Sequence, residues 1–234
     1  LCEQTMNKYV YENQQNLALG YMVNPTLEQW KIVEGDPFVT QNDFVRLATD
    51  TQEALFTPMT VSEPEVTGGM LTSTGEDKYF YERTADNGTL TWQLTFTEQQ
   101  DVYIYFEASH CEKLKVTIDG ETETYSDKRG HIVHLGQCDA GKVVTLDFPM
   151  DNEYDTGNVK LQMYAFNNNV FESAYTQLAD AQLQVTDYDS THVTGSIQAS
   201  QDGLMLLSVP YDEGWSVYVD GVKTEISPVG EALT

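Results

Sequence analysis

"TLTWQLTFTEQQDVYIYFEASHCEKLKVTIDG", residues 89–120, holds three runs in which apolar side chains fall on every second residue. Leu90, Trp92, Leu94 and Phe96 share one side of the first run. Val102, Ile104 and Phe106 alternate with Tyr103 and Tyr105 in the second, and Leu114, Val116 and Ile118 share a side of the third. A period of two belongs to strands with one buried face, because successive side chains leave a strand on opposite sides. The third run ends on Asp119-Gly120, a dipeptide suited to a two-residue hairpin turn whose central residues both need positive φ. Amphipathic strands this close together call for an antiparallel sheet and a second layer to bury it against.

The pattern continues on both sides. "KYFYERT" (78–84) passes through the turn signal Asp86-Asn87-Gly88 into the first run, and "HIVHLG" (131–136), "KVVTLDF" (142–148) and "VKLQMYAF" (159–166) follow the third. No long helical pattern alternates with them. The expected fold is therefore mainly β: a jelly-roll-like antiparallel β-sandwich over residues 61–168, with short helices outside it. Residues 1–60 are the least regular and are expected to form an irregular, partly helical lead-in packed on the sandwich. In them "LALGYMVN" (17–24) suits a short strand. "NDFVRLATDTQEALF" (42–56) suits one or two helical turns capped by Asn42 or Asp43.

"NNN" (167–169) reads as a linker. Beyond it Phe171, Ala174, Tyr175, Leu178 and Ala181 lie at helical spacing, and four strand-like runs follow. The expectation for residues 169–234 is a short helix plus a small antiparallel β module. Its last hairpin centres on Asp220-Gly221, with Val219 opposite Val222, Val217 opposite Thr224 and Trp215 opposite Ile226. That face is mostly apolar and needs a partner. "SPVGEALT" (227–234) begins a further strand, so the module is expected to be C-terminally incomplete. On this reading Trp215→Ala costs roughly 3–5 kcal/mol as a core truncation. "VTIDG" and "VYVDG" look alike, but Asp-Gly after a strand is common, and they are read as unrelated hairpins.

The 234 residues carry 37 acidic against 12 basic side chains, a formal charge of −25. Such a surface repels nucleic acid and anionic lipid, and both are excluded as electrostatic partners. Hydrophobic content of 40% supports real cores rather than disorder. No run approaches the roughly 20 apolar residues of a membrane helix; "LMLLSV" (204–209) has strand length. "LCEQ" opens without the basic and apolar regions of a signal peptide. A Leu-Cys start would suit a lipoprotein cysteine, but the upstream residues that would support this are lacking, and a cut end is the simpler expectation. Of Cys2, Cys111 and Cys138, the last two flank strands that could pair antiparallel; a disulfide between them and two part-buried thiols both remain open.

Chemistry-bearing motifs are scarce. HExxH, CxxC, GxSxG, GxGxxG and P-loop spacings do not occur. His131 and His134, three residues apart on a strand, face opposite ways and do not suit a shared metal. His110 and Cys111 are adjacent and cannot form a base–nucleophile pair for the same reason. "DNEYD" (151–155) offers Asp151, Glu153 and Asp155 as a calcium candidate, although it lacks an EF-hand glycine and shows only three of the 6–8 oxygens calcium takes. An exposed acidic loop is the plainer reading, and no other cofactor is expected. Trp30, Trp92, Trp215, Tyr79 and Tyr81 are further aromatics, of which Trp92 and Trp215 fit a core. Tyr103 and Tyr105, opposite the apolar face of their strand, are candidates for glycan contact, or else form the second wall of a strand packed on both sides. No catalytic residue is assigned.

"GLMLLSVPYDEGWSVYVDGVKTEISPVGEALT" (203–234) resembles the signature near the C-terminus of the YfhO-type bacterial membrane proteins. "LALGYMVN", "DPFVTQNDFVRLATDTQEALFTPM" (36–59) and "VFESAYTQLADAQLQVTDYDSTHVTGSI" (170–197) resemble other segments of that family, in the same order. The sandwich matches only in pattern, and the pair Cys111/Cys138 is no family feature. The resemblance implies a polytopic membrane protein similar to glycosyltransferases that use lipid-linked sugar donors, implicated in decorating cell-wall polymers such as lipoteichoic acid. This chain would then be a non-catalytic extracytoplasmic portion, anchored through the protein's own transmembrane region, with a final strand and membrane helix beyond Thr234. The catalytic acid of such enzymes lies on an early loop between membrane helices, so none is carried over. Its roles would be acceptor positioning or active-site capping. A secreted carbohydrate-binding sandwich and a surface adhesion or scaffold domain are the alternatives. Because the chain is so acidic, binding of an anionic cell-wall glycopolymer is expected to require Mg²⁺ or Ca²⁺.

Overall fold

In the computed structural model, which describes residues 3–5, 8–10, 13–126, 129–200, 202–230 and 233, alternation becomes sidedness. Leu90, Trp92 and Leu94 are buried while Gln93 and Thr95 between and after them are exposed. In chain order the first elements are β1 (Glu3–Thr5), β2 (Lys8–Val10), β3 (Gly20–Val23), a 3-10 turn (Pro25–Gln29), α1 (Pro37–Ala48) and β4 (Phe56–Met59). Then come β5 (Glu65–Thr67), β6 (Gly69–Ser73), β7 (Lys78–Arg83), β8 (Thr89–Thr95), β9 (Gln100–Ser109) and β10 (Leu114–Ile118). β11 (Glu121–Tyr125), β12 (Arg129–Cys138), β13 (Val143–Pro149) and β14 (Thr156–Phe166) complete the sandwich. After α2 (Asn168–Ala179) follow β15 (Gln184–Tyr188), β16 (Val193–Ser196), β17 (Leu204–Leu207), β18 (Val217–Val219) and β19 (Val222–Thr224).

Residues 56–167 form one compact unit, a sandwich of two antiparallel sheets. The five-stranded sheet runs β11-β10-β13-β8-β5. The six-stranded sheet runs β12-β9-β14-β7-β6, with β4 on the same edge of β14 as β7, further along the strand. Leu90, Trp92, Leu146, Phe148 and Leu114 from the first sheet cluster with Ile104, Phe106, Val159, Leu161, Tyr79 and Tyr81 from the second. Trp92 is the largest fully buried side chain. Its ring lies edge-on to Tyr79 at 5.6 Å and to Phe148 at 5.4 Å, geometries favoured by aromatic quadrupoles. The Asp-Gly turn forms as its sequence requires: Asp119 and Gly120 both have positive φ (52° and 85°), and Ile118 pairs with Glu121.

Residues 1–55 and 168–234 form the second unit. The N-terminal segment, expected as a lead-in packed on the sandwich, groups with residues 168–234: β3 pairs antiparallel with β17, and Tyr21, Val23, Leu27, Ala48, Leu178 and Leu206 share a core. α1 begins earlier than expected, because Asp36 caps it by accepting the Val39 N–H at 3.0 Å and Pro37 supplies a preset first-turn φ. The boundary between the two units falls within "NNN", between Asn167 and Asn168, and α2 begins directly at Asn168. The expected small β sheet is instead three two-stranded ribbons, β15-β16, β17-β3 and β18-β19. The last has the expected register, Val219 with Val222 and Val217 with Thr224, around Asp220 and Gly221 at positive φ. Its apolar face is nonetheless uncovered: Val219 is 51% and Val222 68% exposed, and Trp215 is only half-buried. Trp215 is therefore not a core residue, and the 3–5 kcal/mol cost expected for Trp215→Ala does not apply to it.

That cost belongs to Trp92. Its Nε1–H is buried with no hydrogen-bond acceptor among the described residues. Trp92→Ala should destabilise by about 4 kcal/mol through cavity formation. Trp92→Phe should cost about 1–2 kcal/mol, since loss of an unsatisfied donor offsets part of the lost packing. Urea unfolding of both variants checks this; a Trp92→Phe cost of about 3 kcal/mol or more would show that the orphaned N–H carries no penalty.

Candidate functional site

The six-stranded sheet turns Val102, Ile104 and Phe106 inward, so Tyr103, Tyr105 and Glu107 lie on its outer face. Register then aligns residues from different strands in rows across that face. One row holds His134, Tyr103, Tyr164 and Pro58, and the next Ile132, Tyr105 and Gln162. A third holds Arg129, Glu107, Lys160 and Lys78, one from each of β12, β9, β14 and β7. Ser109 and Asn158 begin a fourth.

Both tyrosines named as glycan-contact candidates are occupied by the protein itself. Tyr103 stacks on His134 with ring centroids 4.2 Å apart and planes at 11°, and packs against Phe56 and Phe166 at 5.5 and 5.6 Å. Burial, with the Asp101 carboxylate second, raises its hydroxyl pKa. Asp101 in turn sits 2.5 Å from His134 Nε2. Tyr105 is 9% exposed, donates its hydroxyl to Glu107, and has Lys160 Nζ 5.4 Å from its ring centroid, a cation–π contact. An aromatic platform open to a sugar is therefore not what these two residues make.

The acidic loop is organised around the chain's own cation. The Arg83 guanidinium donates to the carbonyls of Tyr154 (2.9 Å) and Asn152 (3.1 Å) and pairs with Asp86 (3.0 Å) and Asp155 (3.3 Å). Asp151 accepts the Glu153 N–H at 3.0 Å, closing a local turn, and Tyr154 stacks on His110 at 4.0 Å. Asp151, Glu153 and Asp155 are not brought together. Among the described residues no group of three or more His, Cys, Asp or Glu side chains is placed to hold a metal ion.

The disulfide geometry is also overturned. Cys111 and Cys138 are both free and fully buried. Cys138 pairs with Gln100 at the start of β9, whereas Cys111 follows its end and bridges to Met150. About 30 Å of strand separates them, against a bridgeable Cα distance of about 7 Å. The flanking strands lie in different sheets, which removes the pairing that would have joined them. Burial raises the Cys138 pKa, so its thiol is a packing group rather than a nucleophile. Cys2 lies outside the described residues.

What the structure does assemble is an open depression of about 520 Å³ on the outer face, lined by Thr74, Lys78, Glu107, Ser109, Arg129, Asn158 and Lys160 among others. It gathers three of the chain's twelve basic side chains with an acid, two hydroxyls and an amide. Nothing in the sequence alone marks them, because Lys78 and Lys160 meet only through long-range strand pairing.

The fold and this face define a β-sandwich domain with a polar, ligand-accessible sheet surface, and the comparisons then place the chain. The profile of the family described as "Bacterial membrane protein YfhO" matches residues 2–234, and the chain belongs to that family. No curated protein matches it in sequence. Among solved structures it is similar to the insecticidal crystal protein Cry2Aa (17% identity, 45% of this chain and 20% of that one, TM-score 0.32). It is similar to a GH26-CBM35 β-(1,4)-mannanase from Podospora anserina (10%, 48% and 28%, 0.29). The C-terminal CBM6 of LamC, a laminarinase from Zobellia galactanivorans, is a third (8%, 47% and 99%, 0.32). The chain thus spans about a fifth to a quarter of the first two proteins' length.

Arg83→Ala should cost about 2 kcal/mol, by removing a largely buried charged donor from several partners. Adding 5 mM CaCl₂ should leave the wild-type melting temperature unchanged, as read by scanning calorimetry. A calcium-dependent rise would restore the acidic loop as a cation site.

Proposed function

We propose that this chain is a non-catalytic extracytoplasmic portion of a polytopic membrane protein that handles a cell-wall glycopolymer, positioning it as acceptor for glycosylation carried out in the membrane region. Membership of the YfhO family supplies the membrane attachment. No helix of the described residues is long and apolar enough to cross a membrane; on the reading proposed here the anchoring helices belong to the polytopic membrane region.

The observation that carries the binding role is the open depression on the outer sheet face. A polyhydroxylated polymer needs interleaved donors and acceptors on a surface open at both ends, so that a chain can lie across it. Lys78, Arg129, Lys160 and Asn158 supply donors, Glu107 and Asn158 acceptors, and Thr74 and Ser109 both. A closed apolar pocket would instead suit a small ligand. Family membership favours the membrane-attached reading over a secreted module.

Two measurements test it. In a full-length protein carrying Cys2→Ser and Thr124→Cys, a membrane-impermeant maleimide should label intact cells. Thr124 is exposed, whereas Cys111 and Cys138 are fully buried and give little background. Labelling only after cell lysis would place the domain inside and end the proposal. Replacing the depression's polar side chains in the full-length protein should lower polymer glycosylation at least tenfold while leaving membrane levels of the protein intact; undiminished glycosylation would remove the positioning role.

A further inference from the structure

We infer that the mouth between the two sheets beside β8 is a second binding site, one that takes a neutral, hydroxyl-rich oligosaccharide. It shares no lining residue with the outer-face depression, so it goes beyond the proposed acceptor positioning and does not depend on it.

β8 has one finished edge and one unfinished edge. Just outside its two ends, Met150 N–H donates to the Gly88 carbonyl at 2.8 Å and Phe96 N–H to the Lys142 carbonyl at 3.4 Å. The even-numbered residues therefore bond β13. Alternate residues of an antiparallel strand address the same neighbour, so the odd-numbered ones turn their N–H and C=O groups to the opposite edge. β5 meets that edge only from Thr89 to Thr91, and Gln93 and Thr95 have no strand partner there among the described residues. The chain path is the cause. Residues 60–64 cross from β4 in the six-stranded sheet to β5 in the five-stranded one and leave the far half of β8 uncovered.

An open depression of about 530 Å³ follows this edge. Gln93 and Thr95 line it from β8, Thr97 and Gln100 from the turn into β9, and Thr60 and Ser62 from the crossing segment. Four hydroxyls and the Gln93 carboxamide thus join the unpaired backbone groups of Gln93 and Thr95, and each hydroxyl can both donate and accept. Met59, Leu94, Phe96 and Met163 underlie them and give the C–H face of a sugar ring an apolar contact. None of the ten lining residues carries a charge, in a chain with 37 acids and 12 bases.

That chemistry selects a class of ligand. A phosphate or carboxylate entering here would give up hydration and meet no counter-charge. Glu98, whose carboxylate accepts from Gln100 Nε2 at 3.0 Å, would add repulsion. A neutral polyol exchanges hydrogen bonds with water for hydrogen bonds with the rim, donor for acceptor. A peptide adding as a strand fits less well, because β8 runs free of β5 only from Trp92 to Thr95, shorter than the five or six residues of an ordinary strand.

The test follows assigned backbone amides of the 234-residue chain by proton–nitrogen correlation spectra. The probes are cellohexaose, maltohexaose, an oligogalacturonate and an uncharged heptapeptide of alternating Val and Thr. At least one neutral oligosaccharide, at concentrations up to about 10 mM, should shift the Gln93 and Thr95 amides and bind tenfold or more tighter than oligogalacturonate. Ser62→Trp, which fills the depression from an exposed position, should abolish those shifts with an unchanged melting temperature. Thr60→Ala with Thr97→Ala keeps the shape, removes two hydroxyls and should weaken binding about fivefold. No shift from either neutral oligosaccharide, or equal binding of oligogalacturonate, overturns the inference. Shifts at Gln93 and Thr95 with the peptide alone also overturn it and make the edge a strand-addition site. Neutral-oligosaccharide binding that persists in Ser62→Trp, or that moves the Lys78 and Lys160 amides instead, overturns this site and leaves the outer-face depression as the glycan surface.

Discussion

β14 has to satisfy three neighbours at once, and most of the sandwich follows from how it does so. Its eleven residues pair with β9 along one edge, and with β7 and then β4 along the other. Val159, Leu161 and Met163 thereby enter the core while Lys160, Gln162 and Tyr164 face outward. A slip of one residue would exchange the two sets and bury a lysine ammonium among Ile104, Phe106 and Trp92. The cost of burying that charge locks the register. The same lock sets Lys160 between Glu107 and Lys78, so the surface row is a consequence of the core rather than an addition to it.

This dependence explains what the sequence disclosed. Alternation along residues 89–120 and 159–166 needs only local information: each strand states which side is apolar, and Asp119-Gly120 and Asp220-Gly221 state where the chain reverses. Sandwich, sidedness and hairpin registers were legible for that reason. Partner identity was not. β17 finds β3, nearly two hundred residues upstream, instead of its sequence neighbours, so the C-terminal segment is separate ribbons rather than one sheet, and the β17-β3 ribbon shares a core with α1 and α2. The helix boundaries failed more locally. Asp36-Pro37 is a complete start signal that lies before the apolar stripe, and apolar spacing alone placed the helix too late.

Site residues divide in the same way. Tyr103 and Tyr105 do face away from the core, as alternation indicates, yet Phe56, His134, Phe166 and Lys160 reach them from other strands, and Glu107 two residues along β9 takes the Tyr105 hydroxyl. Asp151, Glu153 and Asp155 look like a cation loop only while Arg83 is out of view. Once β7 pairs with β14, its guanidinium sits among the loop carbonyls and supplies the positive charge that a metal would otherwise bring. Cys111 and Cys138 were judged by the strands beside them, and those strands belong to different sheets. Each outcome turns on a contact between residues tens of positions apart, which composition and spacing do not encode.

Net charge and local charge answer different questions here. The formal −25 governs long-range behaviour: it opposes the approach of any polyanion. Contact is decided over a few ångströms, where the nearest side chains outweigh distant, screened ones. Lys78, Lys160, Glu107 and Arg129 lie on one face because three strand pairings put them there, although their neighbours in sequence differ in charge and polarity.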